Sequence, residues 1–213
     1  MTLSNPSSLA NYANDAVDPL IEIQELNVEY QTKRGAVKAV ENVSFEIYPN
    51  EVFGLAGESG CGKTTVANAI TRLLKPPAYI TGGKIKFKNV DILGMSTEEL
   101  RGFRWEHLSI VFQSAMNALN PVLTIGNQII DAMQAHKSVA YEEARAHAKH
   151  LLRTVGIDVA RVDSYPHQLS GGMRQRAVIA IALALSPELI IMDEPTSHLD
   201  VKYQIQIMEL AKS

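Results

Sequence analysis

The chain has 213 residues, 46% of them hydrophobic and 20% charged, and a net charge of −3. That is material for one sizeable core, and the slight negative balance gives no electrostatic case for nucleic acid as the main partner. A single cysteine, Cys61, excludes an intrachain disulfide and fits a reducing, cytoplasmic setting. Residues 1–19 are rich in Asn, Ser and Ala and have no apolar stretch of the kind a secretory signal carries, so they read as a flexible tail before a domain over 20–213. Ile21, Ile23, Leu26, Val28 and Tyr30 roughly alternate and predict a first strand; Lys33-Arg34-Gly35 is a turn. Val43, Phe45 and Ile47 mark a second strand, broken by Pro49-Asn50. Val52 to Ala56 is apolar on both faces, as in a buried parallel strand. A glycine-rich loop leads into a helix from Thr64 to Leu74, stopped by Pro76-Pro77. Gly82-Gly83 opens a strand pair around Ile85, Phe87 and Val90. Ser96 and Glu99 have capping-box spacing for a short helix, and Leu108 to Phe112 is a short strand. From Thr124 to Val155 the apolar period is helical with no strand between. Gly171-Gly172 opens another helix to about Leu185, Leu189 to Met192 is a second buried strand, and Val201 to Lys212 reads as a last helix. No apolar run approaches the length of a membrane span, so a membrane role requires a partner.

Two motifs carry chemistry. Gly57-Glu58-Ser59-Gly60-Cys61-Gly62-Lys63-Thr64, followed by Thr65, fits the phosphate-loop pattern and lies between an expected strand and an expected helix. Its glycines let backbone N–H groups close around phosphate oxygens, and the helix N-terminus adds a positive dipole. Lys63 supplies a point charge to the β and γ phosphates, and the Thr64 hydroxyl is a ligand for Mg²⁺. The strand Leu189-Ile190-Ile191-Met192 ends in Asp193-Glu194, which puts two carboxylates at the C-terminal edge of a sheet, where open α/β folds bind ligands. Asp193 would reach Mg²⁺ through water, and Glu194 would orient and deprotonate the attacking water. Taken alone, this second pattern also suits a buried strand ending in two solvated acids.

Leu169-Ser170-Gly171-Gly172-Met173-Arg174-Gln175, shortly before that strand, resembles the LSGGQ signature of ATP-binding cassette proteins, with Met173 where Gln is usual. The resemblance runs from about Leu20 to the end and implies an α/β phosphate-loop NTPase core with an antiparallel β subdomain and an α-helical subdomain, about 114–170, inserted between the Q-loop and the signature. It implies that Ser170, Gly171, Gly172 and Met173 contact ATP held by a second cassette, more often a different chain. It makes Gln113 a Q-loop residue touching Mg²⁺ and water, Tyr30 the aromatic that stacks on adenine, and Ser197-His198-Leu199-Asp200 the D-loop with its Asp200. Tyr30 also suits a plain core position at a strand end.

Within the family, the stretches Gln113 to Pro121 and Tyr165 to Arg176 resemble the oligopeptide, dipeptide and nickel importer ATPases. That branch implies integral membrane permeases as partners, with the helical block docked on their coupling helix, and a place on the cytoplasmic face of the inner membrane. A soluble, non-transport cassette and a weakly hydrolysing paralogue are the competing readings. The family's switch histidine follows one further strand, which this sequence does not reach before Ser213. The expectation is therefore an incomplete C-terminus, with unpaired backbone in mid-sheet and poor hydrolysis by the chain alone. Cys61 reads as a small filler of the loop. Trp105 reads as packing, His107, His136, His147 and His150 as surface residues, and Glu142 to Lys149 as a solvated helix face.

Overall fold

The structure, a computed structural model, describes residues 18–112 and 118–193. Four antiparallel strands form one sheet: β1 (Ile21–Thr32), β2 (Gly35–Ile47), β3 (Ala78–Phe87) and β4 (Val90–Asp91), in the order β2-β1-β3-β4. The alternation of β1 slips by one residue, so Ile21 and Ile23 face the core and so do Leu26 and Val28. The cause is a bulge at Glu25, whose φ is 47°, opposite Gly83 at φ 94°. A Cβ on Gly83 would sit 2.5 Å from the Glu25 carbonyl oxygen, so only glycine fits there. Gly82-Gly83 therefore lies inside β3, not at its start as expected, and β2 is also longer than the apolar alternation suggested.

Helix α1 (Lys63–Ile70) follows the phosphate loop and stops at Thr71, before the prolines. Helix α2 (Thr97–Glu106) starts with the expected capping box, Ser96 Oγ accepting from Glu99 N and Glu99 returning a bond to Ser96 N. Its last turn is broken at Arg104 (ψ 145°) and Trp105 (φ 70°). Strand β5 (Leu108–Val111) pairs in parallel with β6 (Leu189–Met192), Leu108 opposite Leu189 and Val111 opposite Met192. Between them come α3 (Ile125–Gln134), α4 (Tyr141–Thr154) and α5 (Gly171–Ala182), so the helical block is two helices and the signature helix. Side chains of α3, α4 and α5, including Ile129, Leu152 and Ile179, make one apolar cluster; those of β1, β3, α1 and α2 make another.

One expectation fails. Val52 to Ala56 is not a strand, and Val52, Phe53 and Leu55 are 43%, 39% and 46% exposed. A parallel strand forms only beside a neighbour that takes its N–H and C=O groups, and among the described residues none pairs with this segment. Phe53 stacks on Phe45, centroids 4.9 Å apart. Strand β6, expected to be buried and paired among the described residues on one side only, by β5, is half-buried along its length. The tail over 1–17 and the helix over 201–212 lie outside the described residues.

Candidate functional site: a phosphate loop against an acidic strand end

The loop 57–62 closes on itself before it meets α1. Cys61 N donates to Glu58 O at 3.3 Å, and Gly62 caps α1 in the left-handed region, φ 97°. A Cβ at Gly62 would lie 2.5 Å from the carbonyl oxygen of Ala39 on β2, so the loop can press against that strand only with glycine here. The side chain of Lys63 turns back over the loop. Its Nζ donates to Gly57 O and Glu58 O, each at 2.7 Å, and lies 3.6 Å from Cys61 Sγ. The ammonium thus holds the shape of a ring of backbone that has no negative charge of its own.

The next residue reaches across the molecule. Thr64 Oγ1 donates to Asp193 Oδ2 at 2.8 Å, joining positions 129 residues apart. This bond fixes the end of β6 over the first turn of α1, and sets a hydroxyl and a carboxylate side by side at the start of the helix that follows the loop. Hydroxyl and carboxylate oxygens are the donors a hard cation such as Mg²⁺ takes, so this pair fits the ion that the loop motif implies. Among the described residues no three His, Cys, Asp or Glu side chains converge. A cation held here would therefore complete its shell with substrate and water oxygens.

Tyr30, near the end of β1, is half-buried, and its hydroxyl lies 3.4 Å from Thr65 Oγ1. Thr65 itself is only 8% exposed, so its side chain faces the fold and not the loop mouth. Ser170, Gly171, Gly172 and Met173 are placed elsewhere, at the start of α5, which packs on α3, α4 and β5. There Ser170 Oγ accepts from Met173 N at 3.3 Å, so the hydroxyl caps its own helix. Gln113, Glu194 and Asp200 lie outside the described residues.

Sequence reasoning missed four anchors. Arg104 Nε and Nη2 donate to the carbonyl oxygen of Thr71 at 3.1 and 2.9 Å, and Nη2 to that of Arg72 at 2.8 Å, closing the far end of α1. Burial, and then the nearby charge of Arg72, push the Arg104 guanidinium below its ordinary range. Arg176, expected only as part of the signature stretch, is buried; its Nη1 donates to Val155 O at 3.1 Å and Gly156 O at 2.5 Å, tying α5 to the end of α4. His107, read as a plain surface residue, meets Glu188 at 2.8 Å, and Glu188 also pairs with Lys88. Lys88 first and His107 second hold the Glu188 carboxyl below the usual carboxylate range. In the helix face read as solvated, Arg145 makes a two-pronged pair with Asp163 at 2.8 and 3.0 Å. No local pattern signals any of these, because each partner lies 18 or more residues away in sequence.

Beyond the loop, an apolar cleft of about 550 Å³ opens between the two apolar clusters, lined among others by Leu73, Trp105, Phe112, Leu119, Ala132 and Val178. Ser109 lines it too; its hydroxyl is buried and has no hydrogen-bond partner among the described residues. No helix among the described residues is long and apolar enough to cross a membrane.

The chain is similar to known proteins. The dipeptide transport ATP-binding protein DppD of Bacillus subtilis is 46% identical over 199 residues, which are 92% of this chain and 59% of that protein. The oligopeptide transport ATP-binding protein OppD of the same organism is 41% identical over 92% of this chain and 56% of its own length. The chain thus spans less than two thirds of these relatives. Among solved structures, the dimeric bacterial ABC transporter cassette MJ0796 superposes with a TM-score of 0.80 at 32% identity, over 89% of this chain and 80% of that one. A post-hydrolysis form of the same cassette, bound to ADP and Pi, superposes with a TM-score of 0.79. The signature of the ABC transporter family matches residues 40–197, from β2 through the loop, the helical block and the acidic strand end, and the chain belongs to that family.

Proposed function

We propose that this chain binds Mg-ATP and is the nucleotide-binding part of an ATP-hydrolysing subunit that energises import of peptides or a related small solute. The observation that carries the reading is the 2.8 Å bond from Thr64 to Asp193. It brings the two ends of a nucleotide site together from opposite ends of the sequence, beside a lysine whose charge is already aimed around the loop mouth. Gly57, Glu58, Ser59, Gly60, Cys61 and Gly62 would present backbone N–H groups to the phosphates. Lys63 would exchange its two carbonyl partners for phosphate oxygens, a gain because a charge-assisted bond to an anion is stronger. Thr64 would hold Mg²⁺, with Gln113 a further ligand and Asp193 reaching the ion through water; the ion would neutralise charge on the phosphates. Glu194 would hold and deprotonate the attacking water, and Tyr30 would face the adenine.

Ser170, Gly171, Gly172 and Met173, with Asp200, would act on the nucleotide of a second cassette. Their seat at the start of α5, away from this chain's own loop, supports that division of labour. Residues of about 114–170 would form the helical subdomain, and the apolar cleft beside it would receive a segment of a membrane permease. The names of the relatives, dipeptide and oligopeptide transport proteins, support peptide import and a place at the inner face of the membrane.

The test is the unfolding midpoint with and without Mg-ATP. A ligand at 100 times its Kd, bound only to the folded state, adds about 2.7 kcal/mol. For a chain of this size that is a rise on the order of 5–10 °C. Lys63→Ala is expected to abolish the rise without abolishing folding. No rise in the parent chain would overturn the reading.

A further inference from the structure

The end of α1 remote from the phosphate loop is held in an unusual way. Helix α1 runs for eight residues from Lys63 to Ile70, roughly 12 Å at 1.5 Å per residue. There Thr71 is 2% exposed and Arg72 turns into the left-handed region, φ 52°. The carbonyl groups of both, the negative end of the helix, accept three hydrogen bonds from the single guanidinium of Arg104. Arg72 in turn donates to Ile92 O at 3.2 Å and Met95 O at 2.5 Å, so the junction is fixed on its other side as well.

Arg104 and Thr71 both reach the edge of the apolar cleft, and the residue after Arg104 forms more of its wall. Trp105 has φ 70°, a region a bulky side chain occupies only when its neighbours hold it there. Its ring lines the apolar cleft and packs against the helical cluster, whereas Leu100 and Phe103, one turn earlier, belong to the cluster under the antiparallel sheet. The chain passes from one apolar cluster to the other at this dipeptide. Arg104 grips the phosphate-loop helix, and Trp105 forms part of the cleft wall.

We propose that Arg104 is a positioning residue that couples the phosphate loop to the cleft: nucleotide binding shifts α1, Arg104 carries the shift, and Trp105 moves in the cleft wall. The inference rests on the nucleotide site proposed above. It deepens that reading by assigning the path along which cleft and site sense each other, and the coupling must run equally in both directions.

Trp105 is the sole tryptophan of the chain, so its emission reports the cleft directly. Emission under tryptophan-selective excitation is titrated with Mg-ATP alongside the unfolding midpoint, for the parent, Arg104→Met, Arg104→Lys and Lys63→Ala. In the parent, emission is expected to change saturably over the concentrations that raise the midpoint, and Lys63→Ala to remove both effects. In Arg104→Met the midpoint should still rise, while the emission change falls by roughly threefold or more, because binding persists and only the coupling is cut. Arg104→Lys keeps the charge but cannot fork across two carbonyls, so an intermediate emission change is expected; this variant decides the matter if Arg104→Met does not unfold cooperatively. A parent whose midpoint rises while Trp105 emission stays constant overturns the proposal. So does a full emission change in both Arg104 variants. A parent with no midpoint rise overturns the nucleotide site, and this inference with it.

Discussion

Thr64 and Asp193 touch each other directly, and the nature of that contact separates a structural bond from a cation site. The Thr64 hydroxyl donates and one Asp193 oxygen accepts. An amide oxygen can accept the same bond, so Asp193→Asn should leave stability within about 0.5 kcal/mol of the parent. It removes the negative charge, however, and a neutral amide attracts a hard dication and its bound water far less than a carboxylate does. The expected outcome is that ATP binding by Asp193→Asn no longer tightens when Mg²⁺ is added, while the parent's does. Titration calorimetry with and without the metal checks this; equal Mg²⁺ dependence in both proteins would show that Asp193 serves only to hold α1. The loop itself was legible because its chemistry is local: a helix start, glycines and a lysine at fixed spacing specify an anion cradle wherever they occur. The arginine on the far end of α1 was not legible, since Arg104 and the carbonyl groups it closes lie 32 and 33 residues apart and only tertiary packing joins them.

Among the elements, two polar staples join what apolar packing alone would leave loosely joined. Arg176 is 6% exposed and bonds the carbonyls at the end of α4. Arg176→Met would fill the space but leave the carbonyl of buried Val155 without that donor, while exposed Gly156 could turn to water; the expected loss is about 2 kcal/mol, read as a lower midpoint in chemical denaturation. Glu188 is the second staple, joining Lys88 beyond β3, His107 after α2 and the start of β6. Its folded-state pKa is depressed, chiefly by Lys88. The stabilisation is therefore fully present above the ordinary glutamate value and is lost as pH falls through the lower, folded-state value. Glu188→Gln should be less stable than the parent at neutral pH, with the gap closing on the acid side. The gap should stay below about 1 kcal/mol, because partly exposed pairs are screened by solvent. Parallel acid titrations of the two proteins check it; a gap constant with pH would mean that the charge is irrelevant. The elements themselves follow their local signals where those signals are strong. The capping box of α2 and the helical period of α3 and α4 stand where the residues put them. The slip in the apolar alternation between Ile23 and Leu26 marks the bulge at Glu25, whereas the break at Arg104–Trp105 does not show in hydrophobic periodicity.

For the whole molecule, the segment Val52 to Ala56 marks where local pattern and tertiary structure part. Its composition is that of a central strand, apolar on both faces, and it leads directly into the phosphate loop. Yet no described strand lies beside it, and its large side chains are about two-fifths exposed. Composition reports what a segment can become once it is flanked; it cannot report whether the flanking strand is at hand. An extended, apolar and unpaired segment is a template for pairing with another chain. The chain is therefore expected to associate with itself as its concentration rises, through this segment. Val52→Lys places a charge at the start of the segment, five residues before the loop, and charged side chains on a free edge oppose such pairing. Sedimentation velocity over a concentration series should show the parent shifting to larger species and Val52→Lys remaining monomeric across the same range. If both stay monomeric, the segment is covered in solution by something other than a second copy of the chain. If both associate equally, self-association runs through another surface, and the half-exposed β6 becomes the next place to put the charge.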